Sequence, residues 1–177
     1  TAVCASLLSF MQQKEFNCKR QDQSEFNGRT NPYVDLADLK IKRLVNQFRF
    51  DVVVEAREQY GPEMWPAYTD LVYWPIGSSL GIHADNCWLD GKPNYCSERD
   101  YAGVLYLNTD YEGGKTYFEE FDNVIEPEVG KLVLFPAGLE YRHGVTEVTR
   151  GDRYTMPIWL TMDANYVETE RMTKVLG

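Results

Sequence analysis

The stretch from Lys131 to Thr161, KLVLFPAGLE YRHGVTEVTR GDRYTMPIWL T, carries the pattern that decides the fold. Three short apolar or alternating runs, Lys131–Phe135, His143–Val148 and Arg153–Thr161, are separated by the turn residues Pro136–Gly138 and Arg150-Gly151-Asp152. Runs this short, bounded by Gly, Pro and Asp, read as strands; an amphipathic helix needs a longer apolar period to bury one face. The same pattern extends towards the N-terminus through Asp70–Trp74, Leu80–Ala84, Ala102–Leu107 and Lys115–Phe121. Its punctuation is Pro75-Ile76-Gly77, Asp90-Gly91, Glu112-Gly113-Gly114 and Pro127–Gly130. Strands at this spacing predict a β-sandwich or barrel.

The first third follows a different rule. Leu7, Leu8, Phe10 and Met11 fit one face of a short opening helix, and Phe16–Pro32 is polar and turn-rich. Asp35 is then a plausible N-cap for a longer helix, whose Ile41, Leu44, Val45, Phe48 and Val52 form one apolar stripe. Gly61-Pro62 stops it, and Ala164–Gly177 closes the chain as a short helix or tail. The fold expected is mainly β with N-terminal helices: a double-stranded β-helix, or jelly roll, buttressed by helices. With 177 residues the chain fits a single domain, divided into a buttress (1–66), a jelly-roll core (67–163) and a tail (164–177).

Composition narrows the function. Lys and Arg number 18 against 27 Asp and Glu, a formal charge of −9, which argues against nucleic acid and against an anionic membrane as partners. The longest apolar stretches, such as Leu132–Phe135, are far too short to span a bilayer. Four cysteines (Cys4, Cys18, Cys87, Cys96) show no C-x-x-C spacing, so neither a zinc knuckle nor a thioredoxin-type site is indicated. Pairing of Cys87 with Cys96, or of Cys4 with Cys18, stays open, as does the oligomeric state.

Only two histidines are present, His83 and His143. His83 and Asp85 flank Ala84 at the end of an expected strand, where residues two apart point to one side. His143 opens a later strand and supplies a third donor. Two imidazoles and a carboxylate on one face of a metal leave open positions, the arrangement of non-haem Fe(II) oxygenases, where a 2-oxo acid and then dioxygen can bind. Arg153 lies ten residues after His143, and Trp159 six further on. Arg153, Thr155, Pro157, Trp159 and Thr161 share one parity and can line an interior, with Pro157 implying an edge position or a bulge. An inward guanidinium fork suits the distal carboxylate of 2-oxoglutarate.

These residues resemble the iron- and 2-oxoglutarate-dependent dioxygenases of the prolyl hydroxylase type, from about Leu71 to Asp163. The resemblance implies that His83, Asp85 and His143 hold the iron and that Arg153 is catalytically required as the anchor of 2-oxoglutarate. Glu112-Gly113-Gly114-Lys115-Thr116-Tyr117-Phe118 resembles the family's Gly-Gly turn and strand, which gives Thr116 a share in that anchor. Tyr73, Tyr106 and Trp159 are further candidates for the cosubstrate pocket. Within the family the chain is most similar to the leprecan (prolyl 3-hydroxylase) catalytic domain. That likeness rests on Ile82-His83-Ala84-Asp85-Asn86-Cys87, Arg99-Asp100-Tyr101, His143-Gly144-Val145 and Trp159-Leu160-Thr161-Met162-Asp163. The implied cofactors are Fe(II), 2-oxoglutarate and O2, with ascorbate as an optional reductant and succinate and CO2 as coproducts. The implied compartment is the ER lumen for a leprecan-type domain and the cytoplasm for a free-standing microbial or viral enzyme.

The substrate implied is proline in a peptide or protein, with a free amino acid or small natural-product precursor as the alternative. Asn86, Trp88, Lys92, Tyr95 and Arg99, on the loop after the first two ligands, are the candidate substrate contacts. Tyr141 and Arg142, just before the third ligand, are weaker ones. Two readings compete: a non-catalytic jelly roll that binds 2-oxoglutarate or another small molecule, and a zinc hydrolase on the same three ligands. No obvious general base accompanies the triad, which counts against the hydrolase.

Overall fold

The computed structural model describes residues 2–14, 19–20 and 28–168. Two helices, α1 (Ala2–Lys14) and α2 (Leu39–Tyr60), precede most of the strands. The carboxylate of Asp38 accepts from the backbone N–H groups of Lys40 and Ile41, and Gly61, at φ 122°, closes the other end of α2. Asp38 is therefore the cap in place of Asp35, which ends a separate 3-10 turn, Tyr33–Asp35. A cap must lie within three residues of the amide it serves, and Asp35 is too far upstream. The expected stripe is present: Ile41, Val45 and Val52 are buried, with Leu44 and Phe48 packed at their margin. Cys4, Leu7 and Met11 of α1 complete this layer.

Strands β1 (Lys19–Arg20), β2 (Arg29–Pro32), β3 (Trp65–Trp74), β5 (Tyr101–Tyr106), β9 (Leu132–Pro136) and β12 (Arg153–Thr161) form the larger sheet, in the order β1-β2-β3-β12-β5-β9. The smaller sheet is β4 (Leu80–His83), β10 (His143–Val145), β7 (Thr116–Phe118) and β8 (Asn123–Val124), in the order β4-β10-β7-β8. β6 (Glu112–Gly113) pairs with β11 (Val148–Arg150). Every pairing is antiparallel.

Period-two alternation on β12 organises the interior. Tyr154, Met156, Ile158 and Leu160 point to the helices, where Ile158 and Leu160 meet Val52, Val53 and Ala56 of α2. The other parity, from Arg153 to Thr161, faces the smaller sheet. Pro157 is not on an edge: β12 is central and Pro157 stands opposite Val104 of β5. Towards β3 the bridges skip from Thr155↔Val72 to Ile158↔Thr69, and a register irregularity follows at Trp159/Leu160. The amide that Pro157 lacks is thus accommodated in an interrupted ladder.

Other differences have local causes. β1 and β2 form inside the polar Phe16–Pro32 segment because β3 offers them an edge, pairing Arg29 with Tyr73 and Pro32 with Asp70. His143–Val148 divides into β10 and β11, which serve different sheets. In the tail a 3-10 turn spans Ala164–Tyr166, and residues 169–177 lie outside the described part. Among the described residues no helix is long and apolar enough to cross a membrane.

Candidate active site

His83 ends β4 and His143 begins β10, directly opposite it in register, with Phe118 of β7 on the other side of His143. Asp85 follows two residues after His83, and its backbone N–H and that of Asn86 both donate to the Ala137 carbonyl. Nδ1 of His83 lies 3.0 Å from the Gly81 carbonyl, and Nδ1 of His143 lies 3.0 Å from that of Tyr141. Each carbonyl fixes the proton on Nδ1 and leaves Nε2 as the donor atom. The two Nε2 atoms stand 3.9 Å from the two Asp85 oxygens, and the donor atoms of the three residues lie within 4.8 Å of one another.

The carboxylate is held asymmetrically. Oδ1 of Asp85 accepts from the Trp159 indole N–H at 2.8 Å, while Oδ2 is buried with no hydrogen-bond partner. An orphaned carboxylate oxygen in the interior is costly unless a cation meets it. Phe118 and Phe135 pack on the His143 ring at 5.6 and 4.8 Å and keep water away. Burial, reinforced by His83 and opposed by Asp85, pushes His143 down to about 4, so its imidazole is neutral at physiological pH. Two imidazole nitrogens and one carboxylate fit Fe(II).

A second cluster of buried polar side chains surrounds Arg153. Arg153 is 1% exposed, yet no Asp or Glu among the described residues forms an ion pair with it. Its Nη2 donates to Thr116 Oγ1 at 3.3 Å, its Nε and Nη1 have no partner, and its Cζ lies 4.5 Å from the Trp74 ring. Tyr106 donates its hydroxyl to the same Thr116 oxygen at 2.8 Å. The Tyr111 hydroxyl is buried beside Arg153: burial pushes it up, and the charge and side-chain contact of Arg153 pull it down. A buried guanidinium without a carboxylate is the signature of a site for an anion. The Gly113-Gly114 turn makes room: Gly114 adopts φ +56°, and a Cβ there would stand 2.9 Å from Arg153 Cδ.

The expected residues do not all converge on these two pockets. Tyr73 is corrected: it points to the helix face, stacks on Tyr154 at 5.1 Å and donates to Asp152. Strand parity is the reason, and the neighbouring Trp74 faces Arg153 instead. Trp159 clamps Asp85 rather than lining the anion pocket. Arg99 lies 4.1 Å above the Trp159 ring and 5.5 Å from that of Tyr68. Asn86 uses its amide to donate to the Arg99 carbonyl. Trp88 and Tyr95, 51% and 92% exposed, meet edge to face at 5.6 Å on the tip of their loop. Tyr141 packs on Phe121, and Arg142 and Lys92 are held in ion pairs with Glu119, Glu120 and Asp90. Cys87 and Cys96 are free thiols; Cys18 lies outside the described residues, and the Cys4–Cys18 pairing with it. Trp74, Tyr111, Phe118 and Phe135 are site residues that spacing alone did not show. Strand register places Trp74 opposite Arg153 and Phe118 opposite His143.

The chain is 43% identical over 103 residues to prolyl 3-hydroxylase 2 of Rattus norvegicus, covering 51% of this chain and 15% of that protein. It thus spans about one-seventh of the length of that relative. Among solved structures, a Trichoplax adhaerens prolyl hydroxylase in complex with a hypoxia inducible factor peptide superposes with a TM-score of 0.70 at 14% identity, covering 100% of this chain and 82% of that one. The viral collagen prolyl hydroxylase of Paramecium Bursaria Chlorella virus-1, as its 2OG complex, superposes with a TM-score of 0.67 at 14% identity, covering 90% and 89%. Both confirm the jelly-roll fold. The model of the 2OG-Fe(II) oxygenase superfamily matches residues 69–161, just over half the chain. His83, Asp85 and His143 form a donor set compatible with Fe(II), and the chain belongs to the 2OG-Fe(II) oxygenase superfamily.

Proposed function

We propose that the chain, acting as one catalytic unit, hydroxylates prolyl residues in a peptide or protein, with Fe(II) on His83, Asp85 and His143 and 2-oxoglutarate as cosubstrate. The observation that carries this reading is Arg153, a buried guanidinium with two unpartnered nitrogens and no carboxylate, in the same interior as the three metal donors. When bound, iron and 2-oxoglutarate supply the oxidising chemistry, ending in succinate, CO2 and one oxygen atom transferred to the substrate. The protein's share is positional. Arg153 and Thr116 orient the distal carboxylate of the cosubstrate, with Trp74 and Tyr106 as walls. Trp159 holds Asp85 Oδ1 and leaves Oδ2 as the oxygen that would hold the metal, and Phe118 and Phe135 keep the His143 side dry.

The segment from Asn86 to Arg99 supports a peptide as substrate. It is a small hairpin held by backbone hydrogen bonds: Trp88 N–H donates to the Lys92 carbonyl and Asn94 N–H to that of Asn86, with a β-bridge between Cys87 and Pro93. The Asn94 side-chain amide also donates to the Asp85 carbonyl, so the hairpin is fastened to a metal ligand. It carries the exposed Trp88–Tyr95 pair. Aromatic faces of this kind dock proline-rich, extended peptides at low entropic cost.

The test is incubation with Fe(II), 2-oxoglutarate and, separately, prolyl peptides, free proline and free lysine, followed by mass spectrometry. One oxygen added to a prolyl peptide, with stoichiometric succinate, is the expected result. Succinate formation with free amino acids alone would move the assignment to a small-molecule hydroxylase, and no succinate under any condition would contradict catalysis.

A further inference from the structure

Both sheets end at one groove of about 890 Å³ on the helix side of the molecule. β9 is the last strand of the larger sheet and β8 the last of the smaller, and residues of both line it together with α2. Its apolar lining comes from Phe48 and Val52 of α2, Val124 and Ile125, and Leu132 and Leu134 of β9. None of these residues belongs to the metal or anion pocket.

The backbone of β9 gives the groove direction. Tyr106 N–H donates to the Lys131 carbonyl, and Val104 pairs with Val133, so Lys131, Val133 and Phe135 turn their polar groups towards β5. In an antiparallel pair the intervening residues turn theirs the other way. Leu132 and Leu134 therefore present N–H and C=O groups to the groove, with the Tyr60 hydroxyl 3.5 Å from the Leu134 carbonyl. Among the described residues this is an open sheet edge beside an apolar floor, a template for an added strand.

Charge selects the occupant. Asp51 and Glu55 stand exposed on the α2 wall and accept only from Gln47 and Gln59, with no ion pair among the described residues. Lys131 is already engaged by Glu128, and Glu126 by Lys115. The rim is net negative. On a strand added to β9, alternate side chains would face α2 and its two acids, while the others would face Val124 and Ile125. A second copy of this chain fits badly, because edge-to-edge pairing of identical acidic rims brings like charges together.

We propose that this groove binds an extended, basic segment of a partner protein, which adds a strand to β9 with Lys or Arg over Asp51 and Glu55 and β-branched residues between. The probe is a capped peptide of alternating Lys and Val, titrated against the full chain with amide hydrogen exchange as the second readout. Binding is expected at about 1 mM or tighter, with slowed exchange at Leu132 and Leu134. The D51K/E55K double variant, both positions being exposed, should weaken it by roughly tenfold or more while 2-oxoglutarate turnover is unchanged. A peptide N-methylated at alternate residues should not bind. Four results would each overturn the proposal: no binding, binding of the N-methylated peptide with equal affinity, unchanged exchange at Leu132 and Leu134, or an unaffected double variant. Self-association that protects the same amides without peptide would overturn it in favour of a second copy.

Discussion

Replacing Arg153 by Met acts in opposite directions on stability and on ligand affinity. Without its anion, the guanidinium is a buried charge 1% exposed and lacking a carboxylate, so an apolar side chain of similar length should stabilise the ligand-free chain. The gain is on the order of 1–4 kcal/mol, read as a higher denaturant midpoint. The same change should weaken 2-oxoglutarate by about 100-fold or more, read by calorimetric titration, because a charge-assisted fork is lost. A residue held only for structure would lose stability instead. Trp159→Phe removes the 2.8 Å hydrogen bond to Asp85 and keeps an aromatic ring beneath Arg99. Fe(II) affinity should fall by about 10–100-fold in that variant, measured by metal titration under anaerobic conditions, with the fold intact. The triad and Arg153 could be picked out of the sequence because their chemistry admits few residue types and their spacing follows strands, whereas Thr116 came only from the resemblance of the Gly-Gly turn to the family's. Tyr73 was misplaced because a one-residue difference in parity moves a side chain to the other face, and only the register with β12 decides it.

The Gly113-Gly114 turn and the α2 cap allow element-scale tests. Gly114→Ala places a methyl 2.9 Å from Arg153 Cδ at a φ of +56°, so the guanidinium must move. The expected cost is about 1–3 kcal/mol of stability together with a raised KM for 2-oxoglutarate. Asp38→Ala removes the acceptor for two amides at the start of α2. It should lower stability by about 1 kcal/mol in urea unfolding and leave KM unchanged. Most long elements could be read from the sequence because apolar period and turn residues agree in them. β1, β2, β6 and β8 could not, since each has two to four residues and exists only because a neighbour offers an edge. The break of His143–Val148 into β10 and β11 is likewise a product of sheet assignment, which local pattern does not encode.

Across the whole molecule, acidity and iron define the remaining tests. Burial raises Asp70 and Glu168 to about 7 each; Glu168 also pushes Asp70 up, while Arg49, paired with Glu168 at 2.9 Å, pulls Glu168 down. Tyr68, Arg99 and Asp35 complete the surroundings of Asp70. In the unfolded chain such carboxyls titrate near ~4, so between there and pH 7 the folded state holds more protons. Stability contributed by the pair is therefore full below that range and falls as pH rises through it. Asp70→Asn should flatten this dependence and gain most over the parent above pH 7, checked by denaturant midpoints across pH. The sequence did not reveal this cluster, because Arg49 lies in a helix stripe and Asp70 in a strand, and only tertiary packing joins them.

The central claim, that His83, Asp85 and His143 hold Fe(II) while Arg153 holds the far end of 2-oxoglutarate, is tested most directly by anaerobic absorption titration. Fe(II) followed by 2-oxoglutarate should give a visible metal-to-ligand band that saturates at one equivalent. His143→Ala should abolish the band, and Arg153→Met should shift its half-saturation to higher 2-oxoglutarate. No band from the parent chain, or an undiminished one from His143→Ala, would contradict the account.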